Sequence, residues 1–359
     1  MRYAKALKHA LGTDISITLA HAGRDLKTLY GYGEEYFDQI LKKDGGSLSS
    51  FVSNAVNETR PDIVHSHNAP DHMTIMALKQ PGDVPVIHDT HEVLSVHHSG
   101  FFSGDDPVSM KRYGRQERLA NELSHARIYP TEGIREYIQH RYAVNERNDL
   151  VFPNYMSRKH IPESAEPKLS ERDDEIHIAY VGCVTSLLKT SHYYLVDVFK
   201  EIAKHRWHIH IHPTTDLITS SNRTYRMLAS KSRFIHYHRH MDRKMLLRKL
   251  KRYDYGWAGL NRARNREHLE MALPNKVVEY VACGLPVLAF PHSEIRQFIE
   301  NNHVGIVGKD VDDLAKHLAS VDICELKSSV EKYGQGVVIE KKIWRLIDFY
   351  TQVAAGQSG

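Results

Sequence analysis

Short apolar runs alternate along this chain with longer stretches whose apolar positions recur at helical spacing. That alternation predicts strands joined by helices, the pattern of parallel α/β sheets. In the first half, Ile15–Leu19, Asp62–His65 and Val84–Ile87 read as strands. Met110–Leu123 carries its charges on a helical period and leads to short strands near Arg127–Tyr129 and Leu150–Asn154. A polar, Pro- and Glu-containing stretch then runs to Asp174, and this shift of composition predicts a boundary between domains at 1–153 and 154–338.

The alternation restarts at Ile176–Val181, a strand closed by Gly182, and continues through Trp207–His212, Phe234–Tyr237, Tyr255–Leu260 and Pro286–Phe290. Asp242 is placed to cap a helix over Asp242–Arg252, and Gly284 ends another over Asn275–Cys283. A last helix over about Ile339–Val353 sets Ile343, Leu346, Ile347 and Tyr350 on one face, and the tail Ala354–Gly359 reads as disordered. At the other end, Met1 leads directly into a helix over Tyr3–Gly12. An α/β domain of this kind ordinarily opens with a strand and a Gly-rich turn, so the first sheet is expected to lack its first strand.

Composition narrows the classes. At 359 residues, 41% hydrophobic and 26% charged, the chain has material for two globular cores. No apolar run approaches a membrane span and no signal peptide is evident, which leads to an expected cytoplasmic location. The three cysteines lack any paired spacing that would suggest a disulfide framework or a cysteine zinc site. A net charge of +4 suits anionic small ligands and gives no argument for nucleic acid.

The most informative segment is Leu273-Pro274-Asn275-Lys276-Val277-Val278-Glu279-Tyr280. Pro274 suits the first helical position, where its missing N–H costs nothing. Asn275, Lys276 and Glu279 then share one face, expected to be an exposed edge, while Val277, Val278, Val281 and Ala282 pack inward. Free helix amides and a lysine suit a diphosphate. A carboxylate one turn deeper suits a ribose diol, as in dinucleotide folds.

The segment with its continuation to Gly284, Pro286 and Val287 resembles the donor-binding run of the retaining glycosyltransferases of family 4. Asp62–His67, Pro85–Glu92, Val151–Asn154, Ala179–Gly182 and Glu294–Gly305 resemble other family segments, in the expected order. The resemblance implies a GT-B fold, two facing Rossmann-like domains with parallel sheets, donor bound mainly by the second and acceptor by the first. It also implies that the C-terminal helix, about 339–353, joins the first domain. The implied activity is retaining transfer from a nucleoside-diphosphate sugar to a glycan, lipid or other hydroxyl acceptor, with no cofactor and no metal. Carried over position by position, the donor residues are Gly182, Lys189, Asn275, Lys276 and Glu279. His91 is the histidine near the transferred sugar, and His67 and Glu92 are acceptor-side candidates. Two departures stand out. Where the family has an earlier glutamate eight residues before Glu279 this chain has Met271, with Glu270 one residue out of place. The family's Gly-Arg is Gly182-Cys183, and Lys189 falls one residue late.

Rival chemistry draws on the same residues. His65-x-His67 and His88-Asp89-x-His91-Glu92 have spacings that could collect a divalent metal and give a hydrolase. Against this, histidine is abundant everywhere, as in His97-His98, and the alternating His208, His210 and His212 read as one face of a strand. The helix from Asp242 to Arg252 is densely basic on its outer face, a solvated surface or an attraction to anionic lipid at the inner face of a membrane. Two further functions share the fold: epimerisation or hydrolysis of the nucleotide sugar, and nucleotide binding by a catalytically decayed chain.

Overall fold

The structure, a computed structural model, describes residues 1–30, 32–67, 71–80, 82–97, 106–163, 166–187, 189, 191–214, 220–261 and 266–356. It comprises two compact units, Met1–Pro153 with Ile339–Gly359, and Asn154–Val338. His98 and residues 357–359 of the tail lie outside the described residues.

In unit 1 the chain opens on the helix Arg2–Leu11, as the apolar spacing predicts. Two strands, β1 (Thr18–His21) and β2 (Gln39–Lys42), pair in parallel with each other and, among the described residues, with no other strand. The strand expected at Ile15–Leu19 thus begins three residues later: Asp38 accepts the Ile17 amide at 2.7 Å and takes it out of the ladder. A separate four-stranded sheet, β3 (Val64–His67), β4 (Val86–Asp89), β5 (Ala126–Tyr129) and β6 (Asp149–Val151), is also parallel, in the order β3-β4-β5-β6. The expected shortfall of one strand therefore appears as a break between a two-stranded and a four-stranded sheet.

Strands β4 and β5 are buried along their whole length. Arg127 on β5 is also buried, and satisfies its donors on Asp149 (2.5 Å) and the carbonyls of Asn121, Ser124 and Asn145. The C-terminal helix Ile339–Ala354 packs on the first helix, burying Ile343, Leu346 and Phe349.

Unit 2 holds six parallel strands: β7 (His177–Gly182), β8 (His208–Pro213), β9 (Ile235–Tyr237), β10 (Tyr255–Trp257), β11 (Val287–Ala289) and β12 (Gly305–Val307). Their order, β12-β11-β10-β7-β8-β9, places the switch of direction between β7 and β10. In open α/β sheets, ligands bind beyond the carboxyl ends of the strands at such a point. His208, His210 and His212 lie side by side on one face of β8, beside their β7 partners in register. The helix Arg243–Leu250 is capped by Asp242, whose side chain accepts the Met245 amide at 3.0 Å. Among the described residues no helix is long and apolar enough to cross a membrane.

Candidate functional site

In unit 2 the helix Asn275–Ala282 starts beside the carboxyl end of β7. Pro274 is its N-cap residue and not its first helical one, because its ψ of 137° is extended. Tyr280 fixes the helix to the sheet. Its hydroxyl accepts the Val181 amide at 2.9 Å and donates to the Trp257 carbonyl at 3.3 Å, bridging β7 and β10 at the switch point. Its ring lies against Gly256, where a Cβ would meet ring carbon at 2.2 Å.

The face expected to be an exposed edge divides. Asn275 is exposed, but Glu279 is buried and the Lys276 ammonium is enclosed. Lys276 Nζ sits 4.1 Å from the centre of the Tyr180 ring and has no hydrogen-bond partner among the described residues. Burial pushes its pKa down to about 8, against smaller opposing effects of Cys183 and Glu279. Gly182, with φ +147°, closes β7 over this ammonium, and a Cβ there would stand 2.8 Å from Nζ. A buried cation held against an aromatic face, with no partner of its own, can accept an anion without first losing a bond.

Glu279 carries a partner that spacing does not reveal: Arg243 Nη2 is 2.7 Å from Oε1. The basic helix thus turns its first residue inward onto Glu279, correcting the expectation of a wholly outward basic face. Lys189 is exposed, and the contact the structure gives it is its carbonyl, which accepts Asn261 Nδ2 at 3.3 Å. Glu270 accepts the Ser293 amide and hydroxyl at 2.8 and 2.6 Å, and so caps the helix Ser293–Asn302. Cys183 Sγ lies 3.3 Å from Thr214 Oγ1.

In unit 1, β3 and β4 bring four polar side chains together. Asp89 Oδ2, buried at the end of β4, is 3.0 Å from His65 Nε2, 2.9 Å from His67 Nδ1 and 3.3 Å from His91 Nε2. His67 Nδ1 and His91 Nε2 are themselves 2.9 Å apart, and the Tyr350 hydroxyl meets His65 Nδ1 at 2.5 Å. Burial opposes the charge on Asp89, yet His91, His67 and His65 outweigh it and hold the carboxyl well below its usual range. Burial likewise opposes a charged His91, and the Asp89 carboxylate overrides it, raising the pKa of that ring. His88 points to the other side of the strand, where Thr74 Oγ1 and Asp71 meet it at 2.8 and 3.5 Å. It therefore takes no part in the cluster. Glu92 lies 3.6 Å from His97. Donor atoms of His65, His67 and Asp89 fall within 4.8 Å of one another, an arrangement with room for a divalent ion.

Sequence reasoning missed three participants: Asp89 as the anchor of the histidines, Arg243 and Tyr180. The first could be found from alternation on β4, which sets Asp89 opposite His67 in register; the other two depend on tertiary placement alone.

The glycosyl transferase 4-like domain family matches residues 45–154, and the glucosyltransferase 3-like C-terminal domain family matches residues 198–337. No curated protein sequence matches the chain. Among solved structures, sucrose-phosphate synthase from Thermosynechococcus elongatus superposes with a TM-score of 0.70 at 12% identity, over 99% of this chain and 92% of that one. Anabaena HepE in complex with UDP and glucose gives 0.64 at 13%, over 99% and 94%. A putative UDP-N-acetylglucosamine 2-epimerase from Listeria monocytogenes gives 0.60 at 15%, over 98% and 92%. At these identities the likeness is one of fold.

Proposed function

We propose, for a chain that belongs to the family 4 glycosyltransferases of GT-B fold, that it moves a sugar from a nucleoside-diphosphate sugar to a hydroxyl acceptor with retention at the anomeric carbon. The observation that carries the donor half of this proposal is Lys276, a buried ammonium with no hydrogen-bond partner among the described residues, facing Gly182 at the switch point of the sheet.

The diphosphate lies against Lys276 and the amides that open the helix at Asn275, and Glu279 takes the ribose hydroxyls through the oxygen that Arg243 leaves open. Gly182 gives the phosphates room to approach the end of β7. Lys189 supplies a further cation from its exposed loop. HepE was solved with UDP, which makes uridine diphosphate the first nucleotide to test. On the acceptor side, His91 hydrogen-bonds at the reaction centre, with Asp89 orienting it, and His67 and Glu92 bind acceptor hydroxyls. During transfer the bond from the anomeric carbon to the phosphate oxygen breaks as the bond to the acceptor oxygen forms on the same face. The acceptor proton passes to the departing phosphate oxygen. The protein's contribution is positioning and charge stabilisation. No metal and no cofactor are required, the acceptor is a glycan or a lipid-linked hydroxyl, and the reaction runs on the cytoplasmic side.

Calorimetry with uridine, guanosine, adenosine and thymidine diphosphates tests the donor site. Binding of one of them, weakened about 10- to 100-fold by Lys276→Ala, is the expected result for a charge-assisted contact worth about 1.5–3 kcal/mol. If none binds at millimolar concentration the proposal fails.

A second reading, isomerisation or hydrolysis of the nucleotide sugar, draws on the epimerase likeness and on the convergence of His65, His67 and Asp89. Nucleotide release that proceeds at full rate without any acceptor would favour it.

A further inference from the structure

Six histidines line one face of the sheet in unit 2: His177 on β7, His208, His210 and His212 on β8, His236 on β9 and His238 just past its end. His177 stacks on His208 at 4.4 Å, His210 on His236 at 4.3 Å and His212 on His238 at 4.4 Å, all within 10° of parallel. Hydrogen bonds join five of them into two lines, while His212 Nε2 meets the Tyr253 hydroxyl at 2.8 Å. In the first, Lys249 Nζ meets His238 Nδ1 (3.2 Å), His238 Nε2 meets His210 Nδ1 (3.0 Å), His210 Nε2 meets His177 Nδ1 (2.9 Å), and His177 Nε2 reaches Asp173 (3.2 Å). In the second, His236 Nε2 meets His208 Nδ1 (2.8 Å) and His208 Nε2 reaches Glu175 (2.6 Å). Carboxylates accept only, so each line in this state carries its ring protons on Nε2.

We propose that the carboxylate ends of these two lines form a site for a divalent cation of the zinc class. His177 Nε2, His208 Nε2 and an Asp173 oxygen are its ligands, with a water in the fourth position. Four observations converge. The donor atoms of Asp173, His177 and His208 all lie within 4.8 Å of one another. The two histidines are register partners on adjacent parallel strands, so the sheet itself fixes their spacing. Two imidazoles and one carboxylate leave a fourth, water-filled place in a tetrahedral zinc set, and Asp173 is exposed, which gives an ion a way in.

The fourth observation is the support behind the ligands. A metal-bound histidine ordinarily donates its other ring N–H to a fixed partner. Here His177 Nδ1 faces His210 and His208 Nδ1 faces His236, both already at hydrogen-bond distance. When the metal takes Nε2, the proton of each ring sits on Nδ1, and each histidine–histidine bond of the two lines reverses its donor. The rings stay neutral throughout. Only at the far end must Lys249, on a flexible side chain, turn away from His238. Arg206 and Arg233 bond Glu175, at 3.1 and 2.5 Å, so Glu175 is already engaged and Asp173 is the carboxylate ligand. His177 opens β7 and Gly182 ends it, so the ion lies at the opposite end of the strand from the donor site and is structural.

The test uses the full chain, stripped with chelator and titrated with Co²⁺ and Zn²⁺. One site giving the intense visible absorption of tetrahedral Co²⁺, displaced by Zn²⁺, is expected. His208→Gln and Asp173→Asn should each weaken it at least tenfold, whereas His67→Gln should leave it unchanged. Because His208 is buried and its variant risks misfolding, Asp173→Asn, with an exposed side chain, decides the matter if that variant fails to fold. Absence of the tetrahedral spectrum, unchanged affinity in Asp173→Asn, or loss of the site in His67→Gln would overturn the proposal.

Discussion

Lys276 couples charge to burial in a way that gives the proposed donor site a pH signature. Its pKa is depressed from an ordinary 10.5 to about 8, so the ammonium is present below that pH and lost as pH rises through it. Affinity for a nucleoside diphosphate should therefore fall about three- to tenfold between pH 7 and pH 9, measured by calorimetry, while Lys276→Arg flattens the dependence. Stability of the ligand-free chain moves the other way. The unfolded lysine holds its proton up to about 10.5, so the folded state gains as pH rises from about 8 toward that value. A neighbouring residue gives a steric test. Gly182→Ala would place a methyl 2.8 Å from Lys276 Nζ at a φ of +147°, and should cost about 1–2 kcal/mol in urea unfolding together with most of the nucleotide affinity. Lys276 and Glu279 were legible in the sequence as a cation and a carboxylate one turn apart. Their burial was not, because it depends on Tyr180 and Arg243, which lie far away in the chain and carry no local pattern.

Among the elements, the strands that proved easiest to foresee are those buried on both faces. β11 reads as an apolar run and is buried throughout, and β8, buried throughout as well, is legible instead by its strict alternation of His and Ile. β2 was missed: Gln-Ile-Leu-Lys at residues 39–42 alternates half-buried with exposed positions and offers no run to detect. The helix at 275–282 was foreseen, though its N-cap proline was placed one position too far in. β5 and β6 are also tied by a charge pair that periodicity cannot report, Arg127 with Asp149, both about 1–2% exposed as side chains. Asp149→Ala would leave that guanidinium buried without its counter-ion, and a loss of about 3–5 kcal/mol in denaturant unfolding is expected. Tyr280→Phe tests the bridge between β7 and β10. Removing the hydroxyl strands the Val181 amide, at a cost of about 1–3 kcal/mol.

For the whole molecule, the two units give separate expectations. A nucleotide that binds unit 2 should raise the stability of that unit by about 2.7 kcal/mol at a hundredfold excess over its dissociation constant, leaving the denaturation of unit 1 in place. If unit 1 holds the acceptor, turnover should depend on an added glycan or lipid hydroxyl, whereas nucleotide affinity should not. The division of the first unit into a pair of strands and a set of four has its own consequence. β1 and β2 form a pair whose positions are half-buried or exposed, whereas β4 and β5 are buried throughout, so the amides of β1 and β2 should exchange with deuterium well before those of β4 and β5. β3 is bonded only to β4 and β1 only to β2 among the described residues, so each presents a row of peptide groups along its outer side. Rows of this kind template pairing between molecules, and concentrated solutions of the chain should self-associate through them first, detectable as protection from exchange that appears in β1 and β3 as concentration rises.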